Sequence, residues 1–139
     1  MKSLPSLTDC LWVGLGGALG TGLRYACAVA WPAADSASLP LATLAVNVAG
    51  SLLIGVLAAL AFRRGASFGS SGQLFLMVGF CGGLTTFSFV GLESALFVRQ
   101  GEWQTLGTYL GLSLLGWLAG VAGGYRLTLH LIGHAQTGD

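Results

Sequence analysis

The chain has 139 residues, of which 54% are hydrophobic and 8% are charged, and its formal net charge is +1. Soluble domains carry roughly a quarter of charged residues, so this composition argues against an ordinary water-soluble fold. The near-neutral charge provides no basic surface of the kind that binds nucleic acid.

Four apolar stretches predict an all-α membrane protein with four transmembrane helices in one domain. The predicted spans cover about residues 11–31, 41–62, 74–98 and 105–125, each near the roughly 20 residues that cross a bilayer. A polar tail over residues 126–139 follows the last span. Because the number of spans is even, we expect both termini on the same side of the membrane. The first span has no cleavage site and is expected to stay in the protein.

In the first span, Gly16, Gly20 and Arg24 are four residues apart and share a helix face. Arg24 lies most of the way along this span, and two roles are open for it. It could extend its guanidinium to the membrane interface, or it could supply positive potential in a vestibule.

The second span carries a stripe of polar and small residues at four-residue spacing: Thr43, Asn47, Ser51 and Gly55. The amide of Asn47 offers two N–H donors and an acceptor oxygen in the middle of an apolar helix. Such a residue either bonds to a neighbouring helix, at about 0.6 to 2 kcal/mol, or faces a pathway.

The third span contains the segment from Gly79 to Phe89, in which paired glycines are followed by two threonines. This composition is unfavourable for a continuous helix and predicts a break midway. Free backbone groups at membrane depth are tolerated where they are buried in protein or line a cavity, and broken helices often coordinate ions there. The alternative is a continuous helix whose hydroxyl groups bond to preceding carbonyls. Glu93 follows on the outer half of the span.

The remaining residues indicate packing and orientation. Glycines recur at four-residue spacing, which lets helices in lipid approach closely: Gly16 and Gly20, Gly79 and Gly83, Gly107 and Gly111, and Gly116, Gly120 and Gly124. The basic residues divide between the terminal side (Lys2, Arg63, Arg64 and Arg126) and the other side (Arg24 and Arg99). This small excess favours cytoplasmic termini only slightly and is compatible with insertion in both orientations. The expected interface anchors are Trp103, Tyr109, Tyr125 and Arg126.

The cysteines Cys10, Cys27 and Cys81 lie in apolar segments without metal-type spacing and are expected to be packing residues. His130 and His134 are four apart in the predicted tail. We expect them at the interface or in disordered chain rather than at a metal.

The intramembrane polar groups are hydroxyls, one amide, aromatic rings and one guanidinium, and they form no catalytic constellation. We therefore predict that the chain is not an enzyme. Asn47, Ser88 and the positive edge of the Phe87 ring would suit a small anion that accepts hydrogen bonds. Hydroxyl and carbonyl oxygens also suit cations, so this chemistry alone does not fix the charge of the permeant ion.

Three motifs in this order resemble the Fluc/CrcB family of fluoride channels, and the resemblance covers nearly the whole chain. The motifs are Gly16-Gly17 with Gly20 and Arg24-Tyr25, the segment from Thr43 to Asn47, and the segment from Gly79 to Ser88 followed by Glu93. The resemblance implies an antiparallel dual-topology dimer with two pores in the inner (plasma) membrane. It also implies passive fluoride export, selectivity over chloride, and a structural sodium ion at the dimer interface.

The resemblance also implies site residues. The fluoride pathway would comprise Thr43, Asn47, Phe87 and Ser88. The pore mouth would be formed by Arg24 and Glu93. Backbone carbonyls of Gly82 and Thr85 would hold the sodium ion.

The chain departs from the family pattern at three positions. Phe89 replaces a pore threonine, Val90 replaces the second pore phenylalanine, and Trp117 stands where a small hydroxyl residue is common. We hypothesise that the chain either tolerates an altered pore or pairs with a related subunit that restores it.

Two other functions are compatible with a small four-span protein. A proton-coupled exporter would need a carboxylate inside the first span, whereas Asp9 lies at its edge. A subunit that does not transport would use its glycine faces only to pack against a partner.

Overall fold

The computed structural model describes residues 6–35, 38–63 and 71–135, and the regular structure in these ranges is entirely helical. The elements are α1 (Leu7–Ala30), α2 (Leu41–Arg63), α3 (residues 71–84), α4 (Ser88–Gln100) and α5 (Trp103–Ala135). Within α3, the segment Leu74–Cys81 is wound as a wider π-helix. The predicted all-α architecture is confirmed.

Within the described ranges, three helical stretches are long and apolar enough to cross a membrane: Leu41–Phe62, Ser71–Gln100 and Trp103–Gly133. The second stretch comprises α3 and α4 with the interruption between them. The helix α1 has 24 residues and, at about 1.5 Å per residue, is long enough to cross a membrane. It lies outside this group, and it carries Asp9 and Arg24 among its apolar residues. The membrane character of the fold is thus supported, and the fourth span stays a prediction.

The start of α1 is fixed by a reciprocal cap. The Asp9 N–H donates to the Ser6 hydroxyl over 3.1 Å, and the Ser6 N–H donates to the Asp9 carboxylate over 2.9 Å. These hydrogen bonds from Ser6 hold the pKa of Asp9 below its ordinary value. Asp9 is therefore an ionised capping residue at the end of the helix.

The first of two close helix pairs joins α1 to α3. Gly16 lies against the backbone of Phe80, and Gly20 lies against the backbone of Phe80 and Leu84, so a Cβ at either glycine would overlap main-chain atoms. The contacts advance in the same direction along both helices, and α1 and α3 therefore run parallel.

The second close pair joins α2 to α5. Gly120 approaches the carbonyl of Val48, and Gly55 approaches the backbone of Tyr125, so these helices also run parallel. A glycine at each crossing brings the two backbones together, as the four-residue spacing predicts. By contrast, a Cβ at Gly107 or Gly111 would meet nothing within 4 Å, so packing inside one chain does not account for that pair.

The last helix is longer than its predicted span. It has 33 residues, or about 50 Å at 1.5 Å per residue, and it continues through residues 126–135, where a polar tail was expected. No proline interrupts this stretch, and the Thr128 hydroxyl donates to the carbonyl of Gly124 over 2.8 Å. His130 is exposed on this helix, while Lys2, Arg64 and the side chain of His134 lie outside the described residues.

Tyr109 corrects the expectation of an interface anchor. Its side chain is completely buried, in a cluster with Val90 and Phe97. Trp103 and Tyr125 are exposed and half-buried, respectively. Tyr109 therefore belongs to the interior of the bundle, where its hydroxyl needs a partner.

Candidate functional site

The helical path is interrupted between α3 and α4, inside the segment where the sequence predicts a break. Thr85 is extended (φ −79°, ψ 153°), and α4 begins at Ser88. Both threonine hydroxyls bond locally: that of Thr85 donates to the carbonyl of Cys81 over 2.8 Å, and that of Thr86 accepts from the N–H of Phe89 over 3.2 Å. Such bonds compete with the helix and favour its interruption.

The side chain of Asn47 holds the interrupted segment from the facing helix α2. Its Nδ2 donates to the carbonyl of Thr86 over 3.0 Å, and its Oδ1 accepts from the N–H of Thr86 over 2.7 Å. Asn47 is 2% exposed. Because unpaired backbone groups at membrane depth are costly, the amide stabilises the non-helical backbone at Thr86. One N–H of Asn47 remains for another acceptor.

These bonds free two carbonyls from their helical donors. In a continuous helix, the N–H of Thr86 would bond to Gly82 and that of Phe89 would bond to Thr85. Here the two N–H groups bond to side chains instead, to Asn47 and to the hydroxyl of Thr86. The interruption therefore leaves the carbonyls of Gly82 and Thr85 without these helical donors, and carbonyl oxygens are acceptors suited to a hard cation.

Arg24 reaches the interruption from α1. Its Nε donates to the carbonyl of Gly83 over 3.3 Å, and its guanidinium carbon lies 5.0 Å from the ring centre of Phe89. The hydroxyl of Thr21 donates to the same carbonyl over 3.3 Å. The side chain is half-buried and is held by the Gly83 carbonyl and the Phe89 ring. Of the two roles left open by the sequence, this position agrees with a source of positive potential beside an internal cleft.

Two clefts flank the interruption. The first, of about 240 Å³, is lined by residues of α2, the interruption and α5: Asn47, Ser51, Ile54, Thr85, Thr86, Phe87, Trp117 and Val121. The second, of about 390 Å³, is lined by residues of α1 and α2 with Thr86 and Phe89: Thr21, Arg24, Tyr25, Ala28, Ala42, Thr43 and Val46 complete its wall. Thr86 belongs to both linings, so the Asn47–Thr86 pair separates the two clefts.

Glu93 connects the second cleft to α5. One of its carboxylate oxygens accepts from the hydroxyl of Thr43 over 2.8 Å, and the other accepts from the hydroxyl of Tyr109 over 2.5 Å. Glu93 also borders a smaller cleft of about 170 Å³ beside Asp35 and Pro40 in the loop before α2. The carboxylate is therefore held by two hydroxyl donors rather than only solvated at an interface.

The predicted site residues are thus distributed over both clefts. Asn47, Phe87 and Thr85 line the first cleft, and Arg24 and Thr43 line the second. The ring of Phe87 is 77% exposed in the single chain.

Three predicted residues lie outside both linings, and one of them, Glu93, is bonded to Thr43 of the second cleft. Ser88 is exposed at the start of α4, and its hydroxyl is 3.2 Å from that of Thr86. Gly82 is exposed on the last turn of α3.

Sequence reasoning noted Tyr109 and Trp117 separately but missed the stripe that they form with Ser113 on α5. Tyr109, Ser113 and Trp117 are four residues apart, and the first two are buried. Thr43 and Asn47 on α2 have the same four-residue spacing. The pattern was therefore present in the sequence of α5, but the two helices were not compared. Thr86 was missed because its backbone, rather than its side chain, makes the bonds to Asn47.

The described residues contain no cluster of three or more histidine, cysteine or acidic side chains that could hold a metal ion. Cys10, Cys27 and Cys81 are free thiols at exposed, half-buried and buried positions, respectively. The oxygens that suit a cation here are those of the backbone at the interruption.

Comparison with known proteins shows to which family the chain is similar. The family described as "CrcB-like protein, Camphor Resistance (CrcB)" matches residues 11–125. A Chlorobium luteolum protein named fluoride-specific ion channel FluC is 46% identical over 106 residues, which are 76% of this chain and 81% of that protein. Proteins of the same name from Erythrobacter litoralis and Helicobacter pylori are 38% and 36% identical, over 92% and 88% of this chain and 97% and 95% of their own lengths.

The matched residues 11–125 include the interrupted helix, the residues that line both clefts and all of the predicted site residues. The relatives are named as channels, so the prediction that the chain is not an enzyme is confirmed. The family suggested by the sequence motifs is likewise confirmed: the chain belongs to the CrcB family.

Proposed function

We propose that the chain is a subunit of a fluoride channel. The observation that carries this proposal is the interruption at Thr85 to Phe87, which Asn47 holds between two clefts at membrane depth. The names of the relatives supply the identity of the ion. The cleft chemistry supports an anion, because the acceptor oxygen of Asn47 is already bonded while one of its N–H donors remains.

Along the pathway, hydrogen-bond donors and ring edges would replace the water molecules around fluoride. Selectivity filters of other channels replace the hydration shell of their ions in the same way, with groups such as backbone carbonyls. The remaining N–H of Asn47 and the edge of Phe87 would contact the ion in the first cleft. In the second cleft, Arg24 would attract anions. Movement would be passive and directed out of the cell, which lowers the toxicity of fluoride across the inner (plasma) membrane. Fluoride would be preferred over chloride because fluoride is the smaller of the two ions.

We further propose four spans, with α1 as the first. Support comes from the parallel packing of α1 against α3, because helices that alternate across a membrane are parallel when one span separates them. The parallel packing of α2 and α5 agrees with the same arrangement. In this topology both ends of the chain lie on one side.

The proposed assembly is an antiparallel dimer with dual topology and two pores. Phe87 is a pore residue in this proposal and yet is 77% exposed in one chain, so a second copy would be needed to enclose it. The weak asymmetry of the basic residues is compatible with both orientations. In a chain whose native cysteines are replaced, one introduced cysteine is labelled with a membrane-impermeant reagent before and after the cells are permeabilised. Partial labelling of intact cells that becomes complete after permeabilisation would support dual topology, and all-or-none labelling of intact cells would contradict it.

A sodium ion is proposed at the dimer interface. The carbonyls of Gly82 and Thr85 would hold it, since the bonds to Asn47 and within the interruption leave both without a helical donor. Gly82 is exposed, and a Cβ there would meet nothing within 4 Å, so its surface is open to a second copy. The bound ion would supply charge that links the two interrupted segments.

Two of the three departures from the family pattern, Phe89 and Val90, bear on whether the chain needs a related partner subunit. Phe89 stacks on Arg24, and Val90 is buried in the Tyr109 cluster, so both have partners within this chain. These contacts favour an altered pore that works as a homodimer over an obligate partner subunit.

The experiment is a comparison of fluoride and chloride efflux from liposomes that contain only the purified chain. Rapid fluoride efflux with little chloride efflux is the expected result. Fluoride efflux that collapses without a proton gradient would instead identify a proton-coupled exporter, although Asp9, the carboxylate nearest to the first span, is an ionised cap. Absence of efflux, together with unchanged fluoride sensitivity of cells lacking the protein, would favour a subunit that only assembles.

A further inference from the structure

Arg24 is held from both sides of the interrupted segment. Its Nε donates to the carbonyl of Gly83, on the last turn of α3, and its guanidinium carbon lies 5.0 Å from the ring centre of Phe89, near the start of α4. Gly83 and Phe89 therefore belong to the helices on opposite sides of the interruption. One side chain of α1 bridges these two helices.

The place of the Phe89 ring depends on the bonds that shape the interruption. The N–H of Phe89 donates to the hydroxyl of Thr86 over 3.2 Å. The backbone of Thr86 is in turn held by the amide of Asn47 through two hydrogen bonds. The position of the ring next to Arg24 is therefore set by the same conformation that separates the two clefts.

Both contacts of Arg24 hold the guanidinium without cancelling its charge. A backbone carbonyl and a phenyl ring are uncharged, and the ring attracts the cation through its quadrupole. Glu93, the carboxylate bonded to Thr43 of the second cleft, accepts from the hydroxyls of Thr43 and Tyr109. Because Arg24 and Phe89 both line the second cleft, these contacts place a positive charge in its wall.

Without the ring, the guanidinium has an alternative position at the membrane interface. The helix α1 ends at Ala30, so Arg24 lies about 9 Å from that end at 1.5 Å per residue. Long basic side chains near the end of a membrane helix extend their charge to the interface, where water stabilises it. The bond to Gly83, at 3.3 Å, is long for an N–H donor. The contact with Phe89 is therefore needed to keep the guanidinium in the cleft.

We propose that Phe89 is a positioning residue of this channel, which keeps the Arg24 guanidinium in the wall of the second cleft, where its charge attracts the permeant anion. The inference rests on the proposed fluoride function and assigns a role to a residue that departs from the family pattern. Phe89 acts through Arg24 rather than on the ion. It also links the amide of Asn47, through Thr86, to the charge of the other cleft.

The first test changes the electron density of the ring while nearly keeping its shape. Phenylalanine analogues with one, two or three ring fluorines are introduced at Phe89, because fluorine withdraws electrons from the ring face and weakens its attraction for a cation. Fluoride efflux from liposomes should fall stepwise, to about fivefold lower with three fluorines, as expected of a partly desolvated cation–π contact. The control is the same series at Phe75, whose ring meets Trp12 edge-on and should leave efflux unchanged.

The second test follows the position of the guanidinium itself. In protein with isotope-labelled arginine, the Nε–H resonance of Arg24 is compared by NMR between the unsubstituted chain, Phe89→Leu and Phe89→Trp. Phe89→Leu removes the shielding ring face, so the resonance should move downfield and efflux should fall about fivefold. Phe89→Trp keeps a ring and should retain both shielding and efflux. The resonance of Arg99, in the last turn of α4, should stay in place.

The inference is overturned by a flat fluorine series at Phe89, by an equal decrease at Phe75, or by an unmoved Arg24 resonance in Phe89→Leu. A resonance that moves while efflux stays normal also overturns it, because the ring would then hold Arg24 without serving the ion. If the unsubstituted chain moves no fluoride, the proposed function fails and this inference fails with it. A flat series in a chain that conducts fluoride refutes this inference alone.

Discussion

Asn47→Asp changes the interaction that holds the interrupted helix while keeping the shape of the side chain. The substituted residue still accepts from the N–H of Thr86, but its second oxygen then faces the carbonyl of Thr86, to which Asn47 donates over 3.0 Å. The substituted side chain offers two acceptor oxygens, where the amide of Asn47 offers one donor and one acceptor. Leaving a buried carbonyl unpaired costs about 1 to 3 kcal/mol, so we expect a lower melting temperature with the fold retained.

The effect on transport should be larger than the effect on stability. An ionised carboxylate about 4 Å from fluoride repels it by about 4 kcal/mol at an effective dielectric constant of about 20. Since about 1.4 kcal/mol corresponds to a factor of ten, anion occupancy of the first cleft should fall about a thousandfold. Fluoride efflux at neutral pH should therefore be almost abolished.

Acidification provides an internal check on this reasoning. A protonated carboxyl group carries no charge and can donate its one proton to the carbonyl of Thr86. It therefore restores that bond and removes the repulsion of the anion, but it has no second donor for the ion. Efflux through Asn47→Asp should therefore rise as the pH is lowered from about 7.5 to about 5.5, where carboxyl groups in apolar sites protonate. Protein-free liposomes correct for leakage of the neutral acid.

The matched control is Gln104→Glu, which makes the same chemical change at an exposed position on the first turn of α5. It should leave efflux and its pH dependence unchanged. Efflux through a folded Asn47→Asp variant that equals that of the unsubstituted chain at neutral pH would refute the role assigned to this amide.

Four further substitutions or conditions test other parts of the site. Phe87→Ile should suppress fluoride efflux with little loss of stability, because the ring is mostly exposed in one chain; normal efflux would exclude Phe87 from the pathway. Tyr109→Phe should destabilise the chain by about 1 to 3 kcal/mol in denaturation experiments, since Glu93 loses a buried donor; an unchanged midpoint would contradict that role. Gly20→Ala should lower the melting temperature through overlap with α3, whereas Gly22→Ala, which meets nothing within 4 Å, should not. Replacing sodium by choline should weaken the dimer, as measured by light scattering, and an unchanged mass would argue against the sodium site.

The sequence was sufficient to predict the helical class, the apolar stretches and the position of the interruption. These features depend on local composition, such as the pair Thr85 and Thr86 after Gly82 and Gly83, whose hydroxyls compete for backbone bonds. Asn47 was also evident from the sequence, because a single amide in an apolar helix is conspicuous.

The partners of these residues were less accessible to sequence reasoning. The bond between Asn47 and the backbone of Thr86 depends on the register of α2 against α3, which spacing within one helix does not determine. Tyr109 was assigned to the membrane interface because aromatic residues are common there, but the position of Glu93 gives its hydroxyl a buried partner. Helix ends were also uncertain, as the continuation of α5 beyond residue 125 illustrates.

The shared position of Thr86 means that the two clefts are energetically coupled. A substitution that shifts this residue from the side of Asn47 also moves the wall facing Thr43 and Arg24. Paired substitutions on opposite sides should therefore give non-additive effects, of the size seen for residues that share a partner, about 0.5 to 3 kcal/mol.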